Sequence, residues 1–133
     1  MGIMELFGKK EMPKSGVFSL QCELHPMSLR PNDNDYVDLE INVANSSQVD
    51  EMTSVVISVG EGLGVDRSAI SRQREIRLGY LKPGEKKFVK AQIWGTQRTQ
   101  KGTYPVDVYV ISHFHDYAHV LNQVRKRIEF RVG

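Results

Sequence analysis

Between Leu78 and Ile111 the chain reads LGYLKPGEKKFVKAQIWGTQRTQKGTYPVDVYVI. An apolar segment stops at Pro83-Gly84 and an alternating segment follows. A polar stretch closes that segment, and Gly102-Thr103-Tyr104 opens a second alternating one. Proline presets φ at the second position of a four-residue turn, and glycine accepts positive φ at the third, as a type II turn requires. Segments that alternate apolar and polar residues have one dry and one wet face. Antiparallel sheets solvated on one side produce that pattern; buried parallel sheets do not.

The same period of two recurs along the chain. In Val17–Leu24 the residues Phe18, Leu20, Cys22 and Leu24 share a face, and in Tyr36–Ala44 the residues Val37, Leu39, Ile41 and Val43 do. Ser54–Val59 is more uniformly apolar and reads as a central strand. Glu75–Leu81 places Ile76 and Leu78 inward, the strand after Pro83-Gly84 places Val89, Ala91 and Ile93 inward, and the next places Tyr104, Val106, Val108 and Val110. A last strand near Val124–Val132 offers Ile128, Phe130 and Val132. Turn formers crowd Arg30–Asp35 and Asn45–Asp50. Gly60–Asp66 reads as a flexible glycine-rich loop, and Tyr117–Arg127 as a long loop or hairpin. About seven short strands at this spacing, with no long helix, predict an all-β, antiparallel β-sandwich over residues 13–133. Residues 1–12 stand apart as a flexible or amphipathic N-terminal segment. Its Ile3, Leu6 and Phe7 share one helical face suited to a membrane surface or a partner groove.

With 133 residues the chain suits one domain and can bury a core without cross-links. It has a single cysteine, Cys22, so no internal disulfide forms, which fits a reducing compartment. A net charge of +2 does not by itself imply nucleic acid. No apolar run approaches the roughly 18–20 residues of a membrane span, and the first residues lack the pattern of a secretory signal. The expected location is therefore cytoplasmic. The sequon Asn45-Ser46-Ser47 has meaning only in a secreted protein.

Two segments, Leu29–Ser47 and Ile76–Val110, carry a resemblance. Val43-Ala44-Asn45 closes an alternating strand, Leu81-Lys82-Pro83-Gly84-Glu85 makes a turn, and Gly102-Thr103-Tyr104 opens a strand. In this the chain resembles the immunoglobulin-like domains of the CARDB and S-layer-associated type, found widely in archaea and bacteria. The resemblance implies an immunoglobulin-like sandwich of seven strands, a role in adhesion or interaction, and no catalytic residues.

Three groups of residues are left unexplained by the core. If Val89, Ala91, Ile93 and Val106, Val108, Val110 face inward, then Phe88, Trp94, Tyr109 and Ile111 face outward. They are expected on neighbouring strands of one exterior face, as an interaction surface. Ser112–His119 holds His113, His115, Asp116 and His119, three of the four histidines with a carboxylate. Imidazole and carboxylate suit a transition metal, so a metal-binding or hydrolytic site is the alternative. Arg72, Arg74, Arg125, Lys126 and Arg127 are basic positions that, with outward aromatics, would suit single-stranded nucleic acid. Interleaved acids favour instead a charged edge that guards against aggregation. Gly60-Glu61-Gly62-Leu63-Gly64 lacks the full spacing of a dinucleotide loop, and no cofactor is expected. The expected function is a non-catalytic interaction or structural module with a protein partner, in one form a homodimer.

Overall fold

The computed structural model describes residues 17–133; the amphipathic stretch expected at 1–12 lies outside them. The strands are Phe18–His25 (β1), Ser28–Leu29 (β2), Tyr36–Asn45 (β3), Glu51–Val59 (β4), Gln73–Leu81 (β5), Lys86–Trp94 (β6), Gly102–His113 (β7) and Val120–Val132 (β8). They form two sheets, one of order β1-β3-β6 and the other of order β2-β8-β7-β4-β5. Every pairing is antiparallel except that of the two-residue β2, which runs parallel to β8.

Counted without β2, seven strands make a three-on-four sandwich. The chain changes sheet between β3 and β4, between β5 and β6, and again between β6 and β7, which is the immunoglobulin-like arrangement. The alternating residues do what their period requires. Val37, Leu39, Ile41, Val43, Val89, Ala91 and Ile93 of one sheet meet Val55, Ile57, Val106, Val108, Val110 and Phe130 of the other, all buried. As its apolar run predicts, β4 is interior, paired with β7 on one side and β5 on the other.

Two turns meet at one end of the sandwich. Lys82-Pro83-Gly84-Glu85 closes with the Glu85 N–H donating to the Lys82 carbonyl at 2.9 Å, and Gly84 takes φ +79, the value the third turn position requires. Against this turn lies Asn45, the last residue of β3 and 1% exposed. Its Nδ2 donates to the carbonyls of Val49 and Leu81, each at 2.8 Å, and its Oδ1 accepts from the Ser47 N–H at 2.8 Å. Its backbone N–H donates to Glu85 at 3.0 Å and its carbonyl accepts from Gly84 at 2.8 Å.

At the opposite end the glycine-rich segment is not a loose loop. Leu63 and Val65 are buried in the core, and Gly64 forms an isolated antiparallel bridge with Trp94. A Cβ at Gly64 would stand 2.2 Å from Ala69 Cα, so the glycine is there for close backbone approach. The apolar residues between the glycines are what seat this segment. The region expected as loop or hairpin is a hairpin with a tight tip, and β8 begins at Val120, earlier than the expected last strand.

Tyr104 stands near the start of β7, just past the last sheet crossing. Its hydroxyl donates to the Gln100 carbonyl at 2.6 Å, four residues back, and Tyr104 packs against the core. This is the tyrosine corner of immunoglobulin-like sandwiches. Tyr104→Phe keeps the ring and deletes the hydrogen bond, so it should lower unfolding stability by about 1 kcal/mol. Urea denaturation checks this; a midpoint equal to that of the wild type would mean the corner contributes nothing.

Candidate functional site

The outward aromatic residues do not share one face. Phe88 and Trp94 stand on β6 in the three-stranded sheet, whereas Tyr109 and Ile111 stand on β7 in the other. All four point away from the core, so they lie on opposite outer surfaces of the sandwich. Sequence proximity of β6 and β7 suggested adjacency, but the chain crosses between sheets there.

On the three-stranded sheet the register sets Tyr36 of β3 opposite Trp94 of β6. Their rings lie 4.7 Å apart, tilted by 34°. The Trp94 Nε1–H donates to Gln92 Oε1 at 3.0 Å, and its backbone is held by Gly64, N–H to carbonyl at 2.8 Å and carbonyl to N–H at 2.9 Å. Phe88 lies further along the same face of β6 and is 57% exposed; Tyr36 is 38% exposed. The aromatic group of this face is therefore Tyr36, Phe88 and Trp94. Tyr36 was legible as an outward position of its strand, but nothing in the sequence says that it stands beside Trp94.

On the five-stranded sheet Tyr109 stands between Val56 and Arg125, and Ile111 between Ser54 and Gln123; both are half-buried. The tip of the β7–β8 hairpin folds back beside them. Tyr117 meets the His113 ring edge-on at 5.0 Å, lies 4.6 Å beneath the Arg77 guanidinium, and accepts the Gly79 N–H at 3.0 Å. Gly79, at φ +74, sits at the bulge where β5 slips register against β4.

The four residues of the histidine loop do not converge on a metal position. His113 is 5% exposed, and its Nε2 is 2.7 Å from Ser54 Oγ, itself 0% exposed. His115 turns away from the strand at φ +68 and packs on Phe114, ring centroids 3.9 Å apart. Asp116 and His119 pair with each other at 2.7 Å, and that hydrogen bond holds the Asp116 carboxyl below its ordinary range. Because β7 ends at His113, His113 and His115 do not project from one strand face. Among the described residues, the three ligand atoms that do gather within 4.8 Å of one another belong to Glu23, His25 and Glu40.

The Ser54–His113 contact spans 59 residues of sequence and has the separation of a nucleophile and its base. It lacks the rest of that machinery. Both groups are shut from solvent, and among the described residues His113 Nδ1 has no hydrogen-bond partner to orient the ring. The pair satisfies a polar spot under Tyr117.

The basic positions are likewise divided. Arg127 grips Asp107 through Nε at 2.9 Å and Nη2 at 3.0 Å, and Arg125 Nε lies 3.3 Å from the same carboxylate. The Arg127 hydrogen bonds hold the Asp107 carboxyl below its usual range. Lys126 stands on the other side of β8, in register with Val108. Arg72 and Arg74 sit at β5, separated from β8 in the sheet by β4 and β7. These five residues form no continuous basic stripe of the kind a strand of nucleic acid follows.

No family model matches the chain, and no curated protein matches it. Solved structures share its fold. The sporulation control protein Spo0M of Bacillus subtilis superposes with a TM-score of 0.50 at 12% identity, over 88% of this chain and 49% of that one. The chain thus spans about half the length of Spo0M. AvmM, which catalyses macrocyclization in alchivemycin A biosynthesis, superposes with a TM-score of 0.53 at 10% identity, over 89% of each chain. At such identities the likeness is one of fold alone, and the class it defines is the small all-β sandwich.

Cys22, half-buried on the inner side of β1, has no place in either outer face. Burial pushes its thiol from an ordinary 9.0 to about 11, with Lys126 opposing the rise. At pH 8 its thiolate is then roughly a hundredfold scarcer than that of an ordinary cysteine, so reaction with a disulfide reagent should be slower by about that factor than in the urea-unfolded chain. Equal rates in the two states would show that the thiol is neither desolvated nor shielded.

Proposed function

We propose that this domain is a non-catalytic protein-interaction module that binds through the outer face of its three-stranded sheet, around Trp94, Tyr36 and Phe88. The observation that carries the reading is a rigidly mounted aromatic pair beside an exposed phenylalanine on an otherwise polar surface. Large aromatics with little conformational freedom are the residues that dominate binding energy at protein interfaces. Lys86 and Lys90 flank Phe88 on the same face of β6 and give the rim a positive charge. Kinship with the CARDB type of immunoglobulin-like domain belongs to this reading. It is supported by the meeting of Asn45 with the Leu81–Glu85 turn, since both come from the quoted motifs.

A second copy of the chain is the first partner to test, by light scattering across a concentration series. The wild type should self-associate, Trp94→Ala should weaken association by an order of magnitude or more, and Tyr109→Ala, on the opposite surface, should leave it unchanged. A wild type that stays monomeric at high concentration removes the homodimer. Loss of association in Tyr109→Ala alone moves the surface to the other sheet.

A further inference from the structure

We infer that Glu23, His25 and Glu40 form a site for a divalent transition-metal ion on the outer face of the three-stranded sheet. The site is built by register. Glu23 and Glu40 are directly opposed in the β1–β3 ladder, and His25 lies two residues beyond Glu23, on the same face of β1. Side chains in these positions stand together without any loop having to fold around them.

The distances suit a shared ion. His25 Nε2 lies 3.1 Å from Glu23 Oε1 and 3.4 Å from Glu40 Oε1, and the three donor atoms all fall within 4.8 Å of one another. Ligands bound to one zinc ion at about 2.0–2.2 Å in tetrahedral geometry stand about 3.3–3.6 Å apart. The donor set is one imidazole nitrogen with two carboxylate oxygens, the mixture that zinc and its neighbours in the first transition row accept. It is more than an acidic patch, because the nitrogen sits between the two carboxylates.

The surroundings are consistent with a cation at this point. Two glutamates directly opposed in a sheet repel each other, and an ion bridging them turns that repulsion into ligation. Asp38 faces His25 across the ladder and is approached by Lys90 Nζ at 3.9 Å. Lys90 stands opposite Glu40 in the β3–β6 register, but its ion pair is with Asp38. Three protein ligands would leave a tetrahedral ion one open position facing outward, where water or a group from a partner completes the shell. The inference does not depend on the aromatic surface being an interface.

The test is calorimetric titration of the full chain with Zn2+ alone, followed through three variants. The wild type should take up one ion per chain. His25→Gln and Glu40→Gln should each weaken binding at least tenfold, and His119→Gln should leave it unchanged. All three positions are at the surface, and circular dichroism should show each variant folded like the wild type. In a parallel measurement Mn2+ should broaden the amide resonances of residues 23–25 and 38–41 before any others. Failure of the wild type to bind stoichiometrically overturns the site. So does binding that survives His25→Gln, or that is lost in His119→Gln, since either places the ion elsewhere.

Discussion

The buried side chain of Asn45 is the interaction on which the rest of the structure depends. It sits where β3 leaves the three-stranded sheet, and its amide reaches the carbonyls of Val49, in the crossing to β4, and Leu81, at the end of β5. Its backbone pairs with Gly84 and Glu85, in the turn that returns the chain to β6. Two of the three sheet changes in the fold are therefore tied to one residue. A buried polar group such as the Leu81 carbonyl must be satisfied, and the Asn45 amide reaches it at 2.8 Å, while the Val49 carbonyl, on an exposed residue, is shared with Ser47 Oγ at 2.9 Å. The donor is an asparagine at the end of the strand.

Once the crossings are fixed, so is the distribution of surfaces. β6 is drawn into the sheet of β1 and β3, which puts Trp94 beside Tyr36 and Phe88 on one outer surface. β7 goes to the other sheet and takes Tyr109 and Ile111 with it. The first surface keeps Tyr36 and Phe88 exposed, with Trp94 half-buried beside Tyr36, and carries the Glu23, His25 and Glu40 group. The second is partly occupied by Tyr117 and by the pairing of Arg125 and Arg127 with Asp107. Both the Tyr36, Phe88 and Trp94 group and the Glu23, His25 and Glu40 group thus lie on the three-stranded sheet. That sheet is the surface proposed for the interaction.

Much of this fold was legible in the sequence, because its signals are local. Alternation in Val37, Leu39, Ile41 and Val43 reports the buried face of a strand, and Pro83-Gly84 reports a turn with glycine at positive φ. Alternation does not report which neighbour a strand takes. That limit accounts for Phe88 and Trp94 being grouped with Tyr109 and Ile111, and for Tyr36 being missed. The glycines of residues 60–64 suggested looseness, whereas Leu63 and Val65 anchor that segment in the core. The histidine loop suggested a metal centre because its residues are close in sequence, but the hairpin tip turns them in different directions. Glu23 and Glu40 are far apart in sequence and meet through register alone. No spacing motif reveals such a site.

The most direct measurement compares the unfolding free energies of wild type, Asn45→Ala and Asn45→Asp in denaturant. Removing the amide takes its hydrogen bond from the buried Leu81 carbonyl and leaves the Val49 carbonyl to Ser47 Oγ alone, so Asn45→Ala should cost about 1–3 kcal/mol. Asn45→Asp, nearly the same shape, sets a carboxylate oxygen against the Leu81 and Val49 carbonyls and should cost more than Asn45→Ala. That order is the result expected if one amide ties the crossings together. Stabilities within about 0.5 kcal/mol of the wild type for both variants, the range of an ordinary surface change, would contradict the account.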